Sequence, residues 1–479
     1  MKDMLKTVVA AAVVVSMVSC SSEADFDNTN TTDSNKQESV ETPINFGSYL
    51  AQSKSNLSRA GGTTPASSVM TNTELQDKGF GVVVFYTGTS QYQAGQSTLE
   101  PNFLYNTKVS TKDWTYSPVR YWPNGGQSEG STPVESTQYL SFFAYAPYKD
   151  LATSTTNGIT GLSSNAASGD PTVSYTLGAT GADADLLWGT AGTNGTTTGG
   201  TAQNGTDFSG KAKARVNANL SKMKVAGKVQ FNFKHALAKF GGTGTTTDNK
   251  TSGLMVVADI DNGTATTGGS LDANTKITVK SIKIESVNND GTKDNSIATS
   301  GTLNLATGVW TTSDSKMGKI DYEIKSPASY TATSGATTQD MNEAIAEPES
   351  VANGEAGWKA LPTGVTTSAQ SVYTETTPLL IIPDGNDHIF RVTIDYVVRT
   401  KDASLHKGYT EVEQSFYKDL TLKTVSLNAK YNLLIHLGLT SVKFDATVTD
   451  WTNTTMGGAT TGTTNDPDPM VIYMPQNVQ

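Results

Sequence analysis

From Gly79 onward the chain reads as short apolar runs set between Gly-, Thr- and Ser-rich tracts. GVVVFY is a short buried run, and YLSFFAYAPY is another, rich in aromatics and ended by Pro147. VQFNFKHAL places Val229, Phe231 and Phe233 on one face, as the side-chain period of a strand requires. A second block begins beyond the tract GGTGTTTDNK, with LMVVADI and ITVKSIKIESV. In HIFRVTIDYVVR the residues Phe390, Val392, Ile394, Tyr396 and Val398 share a face, and in YNLLIHLGL so do Tyr431, Leu433, Ile435, Leu437 and Leu439. VKFDATVTDW closes the block with Val442, Phe444, Ala446 and Val448. PDGND at 383–387 carries a hairpin-type turn signal between two of these runs. No amphipathic helix longer than about three turns stands out. The pattern predicts an all-β chain of two β-sandwich domains, divided near residue 245, with long Gly/Thr-rich surface loops.

Two apolar segments stand apart from these blocks. PINFGSYLAQ, with Ile44, Phe46 and Leu50, lies between the acidic, polar stretch 21–42 and the loop-like SKSNLSRAGGTTPASS. MVIYMPQNVQ follows a linker, TNTTMGGATTGTTNDPDP, beyond Trp451. A strand-forming segment on a polar leash has no obvious place in its own domain; the alternative is an ordinary edge strand of that domain. Its apolar residues fall into two alternating sets, Met470, Ile472 and Met474 or Val471 and Tyr473.

The leader, MKDMLKTVVAAAVVVSMVSCSSEAD, pairs Lys2 and Lys6 with an apolar run from Val8 to Val18 broken only by Ser16. Spanning a bilayer takes about 20 apolar residues, so the run is too short and reads as the core of a secretory signal. Met17-Val18-Ser19-Cys20 resembles a bacterial lipobox, in which the Cys is acylated and becomes the first residue. The alternative is an ordinary signal peptide with a Cys nearby. Cys20 is the sole cysteine in 479 residues, which suits an attachment point and leaves no disulfide staple. Several acyl chains anchor firmly where one does not. The reading is an exported lipoprotein of a bacterium, with the acidic, polar residues 21–42 as a flexible tether from the lipid.

A chain that is 36% apolar and 17% charged suits a soluble globular protein, and a net charge of −10 argues against nucleic acid as partner. Candidate chemistry is sparse. GQSEG at 126–130 fits a nucleophile elbow, but Ser128 lies in a loop with no helix to follow. GTDFSGKA at 205–212 lacks the Mg²⁺-binding hydroxyl of a P-loop, offering Ala212 instead. DIDNG at 259–263 has too few ligands for a calcium loop and reads as a turn. His235, His388, His406 and His436 are too scattered for zinc spacing, and structural roles are expected of them. Asp183 and Asp185 in GADADLLWG read as a turn entering a strand rather than as paired catalytic carboxylates. Seven Lys and one Arg between Lys211 and Lys239, without an acid, read as a solvated face. No enzyme, metal or cofactor is therefore expected.

Together these segments resemble the fimbrillin family, the lipoprotein-derived pilins of Bacteroidetes. The resemblance spans nearly the whole chain and rests on the order of the lipobox at Cys20, WTYSPVRYWP, LSFFAYAPY, DADLLWG, VQFNFKHALAKF and VKFDATVTDW. It implies transthyretin-like sandwiches and a C-terminal strand extension. It also implies a maturation step in which a trypsin-like protease cuts after an Arg, here Arg59, leaving Ala60 as the new N-terminus. PINFGSYLAQ would be the removable first strand, and MVIYMPQNVQ, with Met470, Val471, Ile472, Tyr473 and Met474, the donor that fills its place in the next subunit. On that pattern residues 1–19 are signal peptide, 20–59 propeptide, 60–245 and 246–453 the sandwiches, and 454–479 linker and donor. The implied partners are other fimbrial subunits, the outer membrane, the protease, and a surface glycan or protein. The competing reading is a non-polymerising surface lipoprotein, a fimbrial tip or anchor or a glycan-binding adhesin, whose Trp114, Tyr116, Tyr121 and Trp122 stack on sugars.

Overall fold

A computed structural model describes residues 43–50, 72–95, 97–110, 113–123, 138–178, 185–191, 216–220, 228–242, 244–247, 250–258, 271–313, 315, 317–325, 339–372, 379–438, 442–450 and 470–472. All lie in one compact unit, Glu41–Gln479. The fold is all-β. The two α-helices among the described residues, Asn72–Lys78 and Gly354–Ala360, have seven residues each.

The first ten strands are β1 (Asn45–Leu50), β2 (Phe80–Gly88), β3 (Leu104–Val109), β4 (Tyr139–Ala146), β5 (Gly158–Leu162), β6 (Thr172–Thr176), β7 (Leu187–Ala191), β8 (Asn217–Leu220), β9 (Lys228–His235) and β10 (Ala238–Phe240). One sheet runs β1-β9-β7-β4-β2-β3, with β8 also on β4. Both its faces are covered, which is why GVVVFY is an unbroken apolar run and LSFFAYA is interrupted only by the buried Ser141. Val83, Phe85, Phe143 and Tyr145 pack on one face against a four-stranded sheet. That sheet holds β5 and β6 together with Ser300–Asn304 and Trp310–Thr311. Val82, Val84, Phe142 and Ala144 pack on the other face, with Leu75 of the first helix and Ile44 and Phe46.

The chain leaves this sheet at His235 and enters another at Ala238. There β10 lies between Leu379–Ile381 and Ala429–Leu437, which also pairs with Leu254–Ala258. Val442–Asp450 pairs with Ala429–Leu437 throughout its length. A five-stranded sheet holding Thr275–Val287, His388–Lys401 and Tyr409–Leu422 faces it. Of the alternating residues expected to share faces, Phe390, Val392, Ile394, Tyr396 and Val398 meet Tyr431, Leu433, Ile435 and Leu437 in one core; Leu439 and the side chains of Val442, Phe444, Ala446 and Val448 lie outside the described residues.

PDGND is not a hairpin. It joins Leu379–Ile381 in one sheet to His388–Lys401 in the other. Asp384 folds the segment back on itself: its carboxylate accepts the Asn386 N–H at 3.0 Å and holds His388 Nε2 at 3.0 Å. A turn signal between two strands fixes the reversal of the chain, not whether the strands pair.

Candidate functional site: the seat of the first strand

Within PINFGSYLAQ, Asn45–Leu50 form the edge strand β1, lying parallel to β9 with Phe46 opposite Val229 and Ser48 opposite Phe231. Ile44 is fully buried and Phe46 is 3% exposed. Leu50 lies on the strand, but its side chain is outside the described residues.

Four rings surround Phe46. Tyr116 stands with its centroid 5.0 Å away, Phe231 and Phe142 at 6.1 Å, and Phe80 at 6.5 Å. Three of the contacts are edge-on and Phe231 is stacked, both favoured by the ring quadrupoles. Every member of this cage comes from a motif that carries the family resemblance, or from the strand beside it. WTYSPVRYWP supplies Tyr116, LSFFAYAPY supplies Phe142, VQFNFKHALAKF supplies Phe231, and β2 supplies Phe80.

The segment around WTYSPVRYWP also grips β1 from the side opposite β9. The Ile44 N–H donates to the Arg120 carbonyl at 2.8 Å. The Tyr116 hydroxyl donates to the Ile44 carbonyl at 2.9 Å and accepts the Arg120 N–H at 3.1 Å. Burial pushes the Tyr116 phenol up, so it stays a donor at neutral pH. Pro43 completes the strap with an antiparallel bridge to Tyr121. The sequence reading missed this strap. Its one visible signal is an aromatic-rich loop stiffened by Pro118 and Pro123.

The strap limits what the aromatic loop offers to sugars. Trp122 is buried, Trp114 packs on Phe80 at 5.4 Å, and Tyr116 on Phe46. Only Tyr121 of the four is exposed, at 46%. On β1 itself, the Ser48 Oγ is buried with no hydrogen-bond partner among the described residues.

The second isolated segment is described over Met470–Ile472. Its backbone pairs antiparallel with Val442–Asp450 of the same chain, Ala446 opposite Met470 and Phe444 opposite Ile472. Tyr473 and Met474 lie outside the described residues, as do Cys20, Arg59, Ala60, Ser128, Asp183, Ala212 and the DIDNG stretch.

Among the described residues no group of three or more His, Cys, Asp or Glu could hold a metal. Asp185 enters β7 and is buried, its Oδ2 2.6 Å from Nδ1 of the buried His235 on β9. The two strands are neighbours, with Leu187 opposite His235. No pattern in the sequence links residues 50 positions apart in this way. No helix among the described residues is long and apolar enough to cross a membrane.

No family model matches the chain. A crystal structure of a fimbrial protein from Bacteroides vulgatus matches 86% of this chain and 99% of its own, with a TM-score of 0.52 at 17% identity. The fold resembles that of this fimbrial protein. Over 114 residues the chain is also 29% identical to the fimbrium subunit Fim1C of Phocaeicola vulgatus. That match takes in 23% of this chain and spans 27%, about a quarter, of the relative's length. The chain thus resembles the fimbrillins both in fold and in a stretch of sequence.

Proposed function

We propose that this chain is a structural fimbrial subunit at the cell surface rather than an enzyme. It would be carried to the outer membrane on lipidated Cys20 and cut after Arg59 by a trypsin-like protease. Loss of β1 with the lipid would leave a vacant seat, which the 465–479 segment of another subunit fills, building a filament that serves adhesion and biofilm formation. On this reading residues 60–245 and 246–453 hold the two sandwich units, with Ser300–Asn304 and Trp310–Thr311 completing the first.

The observation that carries the reading is the position of β1. It is an edge strand whose removal breaks one ladder, with β9, and leaves β9-β7-β4-β2-β3 paired. Ile44 and Phe46 are nonetheless core residues, so the vacated sheet would expose an apolar trough and unpaired backbone groups of β9. Both favour the addition of another strand. Because the trough and the incoming strand are different surfaces, the contact is heterologous and need not close, which suits a filament.

The test is brief trypsin treatment of residues 21–479, followed by an unboiled gel and N-terminal sequencing. A ladder of oligomers beginning at Ala60 supports the proposal. Resistance at Arg59 would favour the competing reading of an anchored, non-polymerising surface lipoprotein.

A further inference from the structure

We propose that the strand replacing β1 enters parallel to β9 with Val471 in the place of Ile44, Tyr473 in the place of Phe46 and Pro475 in the place of Ser48. This rests on the strand-exchange reading above and identifies which face of the incoming segment is buried.

The phase of the backbone decides the register. Along a strand, the N–H and C=O of one residue point to one neighbour and those of the next residue point to the other. Both backbone groups of Ile44 face the strap, its N–H on Arg120 and its carbonyl on Tyr116. By alternation Phe46 and Ser48 also turn their N–H away from β9, while Asn45, Gly47 and Tyr49 turn theirs towards it. Side chains at 44 and 46 point into the core. In this seat the core-facing residues are therefore the ones that make no ladder bond.

Pro475 has no N–H and fits only where none is needed, on the outer side of an edge strand. A parallel occupant must then carry Pro475 in phase with its buried residues. Val471, Tyr473 and Pro475 share that phase. Burying Met470, Ile472 and Met474 in the same direction would turn Pro475 towards β9 and break the ladder.

The side chains agree. Ile44-x-Phe46 and Val471-x-Tyr473 are both a β-branched residue followed two places later by an aromatic one. An aromatic ring keeps the edge-on and stacked contacts of the four-ring cage, which a methionine gives up in part. At Ser48 the resident strand buries a hydroxyl without a partner, and proline brings no such group. Met474 falls at Gly47, where the atoms nearest to a Cβ belong to the flexible end of the Gln230 side chain.

The experiment uses trypsin-treated residues 21–479, which contain no native cysteine, with assembly followed on unboiled gels. Tyr473→Ser is expected to slow assembly about tenfold or more, and Ile472→Ser to change it little. Gln230→Cys combined with Met474→Cys is expected to give disulfide-linked chains, because Gln230 lies opposite Gly47. Assembly that survives Tyr473→Ser, fails with Ile472→Ser and gives no such disulfide would overturn this register while leaving strand exchange intact. A parent protein that never assembles after cleavage would overturn strand exchange and the register together. Circular dichroism of the uncleaved variants shows that each is folded before the comparison.

Discussion

The rings of Phe46 and Phe231 lie 6.1 Å apart with their planes 24° from parallel, one on β1 and the other on β9. Phe231 in turn touches Phe80 and Phe233, at 5.6 and 6.0 Å. A single side chain thus joins the edge strand to an aromatic cluster that belongs to the rest of the sheet.

Truncating that side chain should loosen β1 more than any other change within it. Phe46→Ala removes a buried ring and leaves a cavity, at a cost of about 3–5 kcal/mol in well-packed cores. In the uncleaved chain, hydrogen exchange across 44–48 should accelerate while that of β4 and β7 stays slow. Uniform acceleration over the whole sheet would mean that β1 is not a separable element.

Tyr116→Phe tests the strap with the ring packing preserved. The change removes the hydroxyl that caps the Ile44 carbonyl and receives the Arg120 N–H. Net losses of this kind are about 1–2 kcal/mol, so the Ile44 amide should exchange roughly 5–30 times faster. An unchanged rate would assign the grip on β1 to β9 and the aromatic cage alone.

Much of this was legible in the sequence, and the part that was not shares one cause. Alternation located the strands and their buried faces, as in Phe390 to Tyr396, because it depends on residues two positions apart. The isolation of PINFGSYLAQ was visible for the same reason. Whatever depends on which strands become neighbours was hidden. The Asp185–His235 pair, the grip of Tyr116 on Ile44 and the sheet change at PDGND all arise from the order of strands, which local patterning does not encode.

Two lysines at the crossing between sheets give the protein an unusual pH response. Lys239 on β10 lies opposite Lys430 in a parallel pair. Burial, and then the neighbouring Lys430 charge, pulls Lys239 down to about 7 despite the attraction of Asp185, and burial pulls Lys430 down to about 8. Unfolded, both return towards the ordinary lysine value of 10.5. Between about pH 7 and 10.5 the unfolded chain therefore binds more protons, and these two groups make stability rise with pH. Below pH 7 both states are protonated and the cost of burying the charges is fully present. Denaturant melts of the parent and of Lys239→Met at pH 7 and 9 check this: the parent should gain more stability than the variant over that interval. Equal gains would remove Lys239 from the account.

The two sandwiches are also joined through their cores, which bears on what can fold alone. Leu303, Leu305 and Trp310 belong to the same buried cluster as Val83, Phe85 and Phe143. Ser300–Asn304 pairs with β6 residue for residue, Leu303 opposite Val173. Two indoles lock the crossing: Trp188 Nε1–H donates to the Leu305 carbonyl and Trp310 Nε1–H to the Ala236 carbonyl, each at 2.8 Å. Gly308 closes the turn between the paired strands with φ of +70°, and a Cβ there would run into the Trp188 ring. Gly308→Ala should therefore cost more than the roughly 1 kcal/mol typical of glycine replaced at positive φ, because overpacking adds about 1–3 kcal/mol. Residues 60–245 expressed alone would lack this strand pair and leave Phe85, Phe143 and Tyr175 partly uncovered. They are expected to bind a hydrophobic dye and to show no sharp thermal transition, whereas residues 60–311 should recover the cover over that face. A cooperative melt of 60–245 alone would show that the crossing strands are an accessory to the first sandwich and not part of its core.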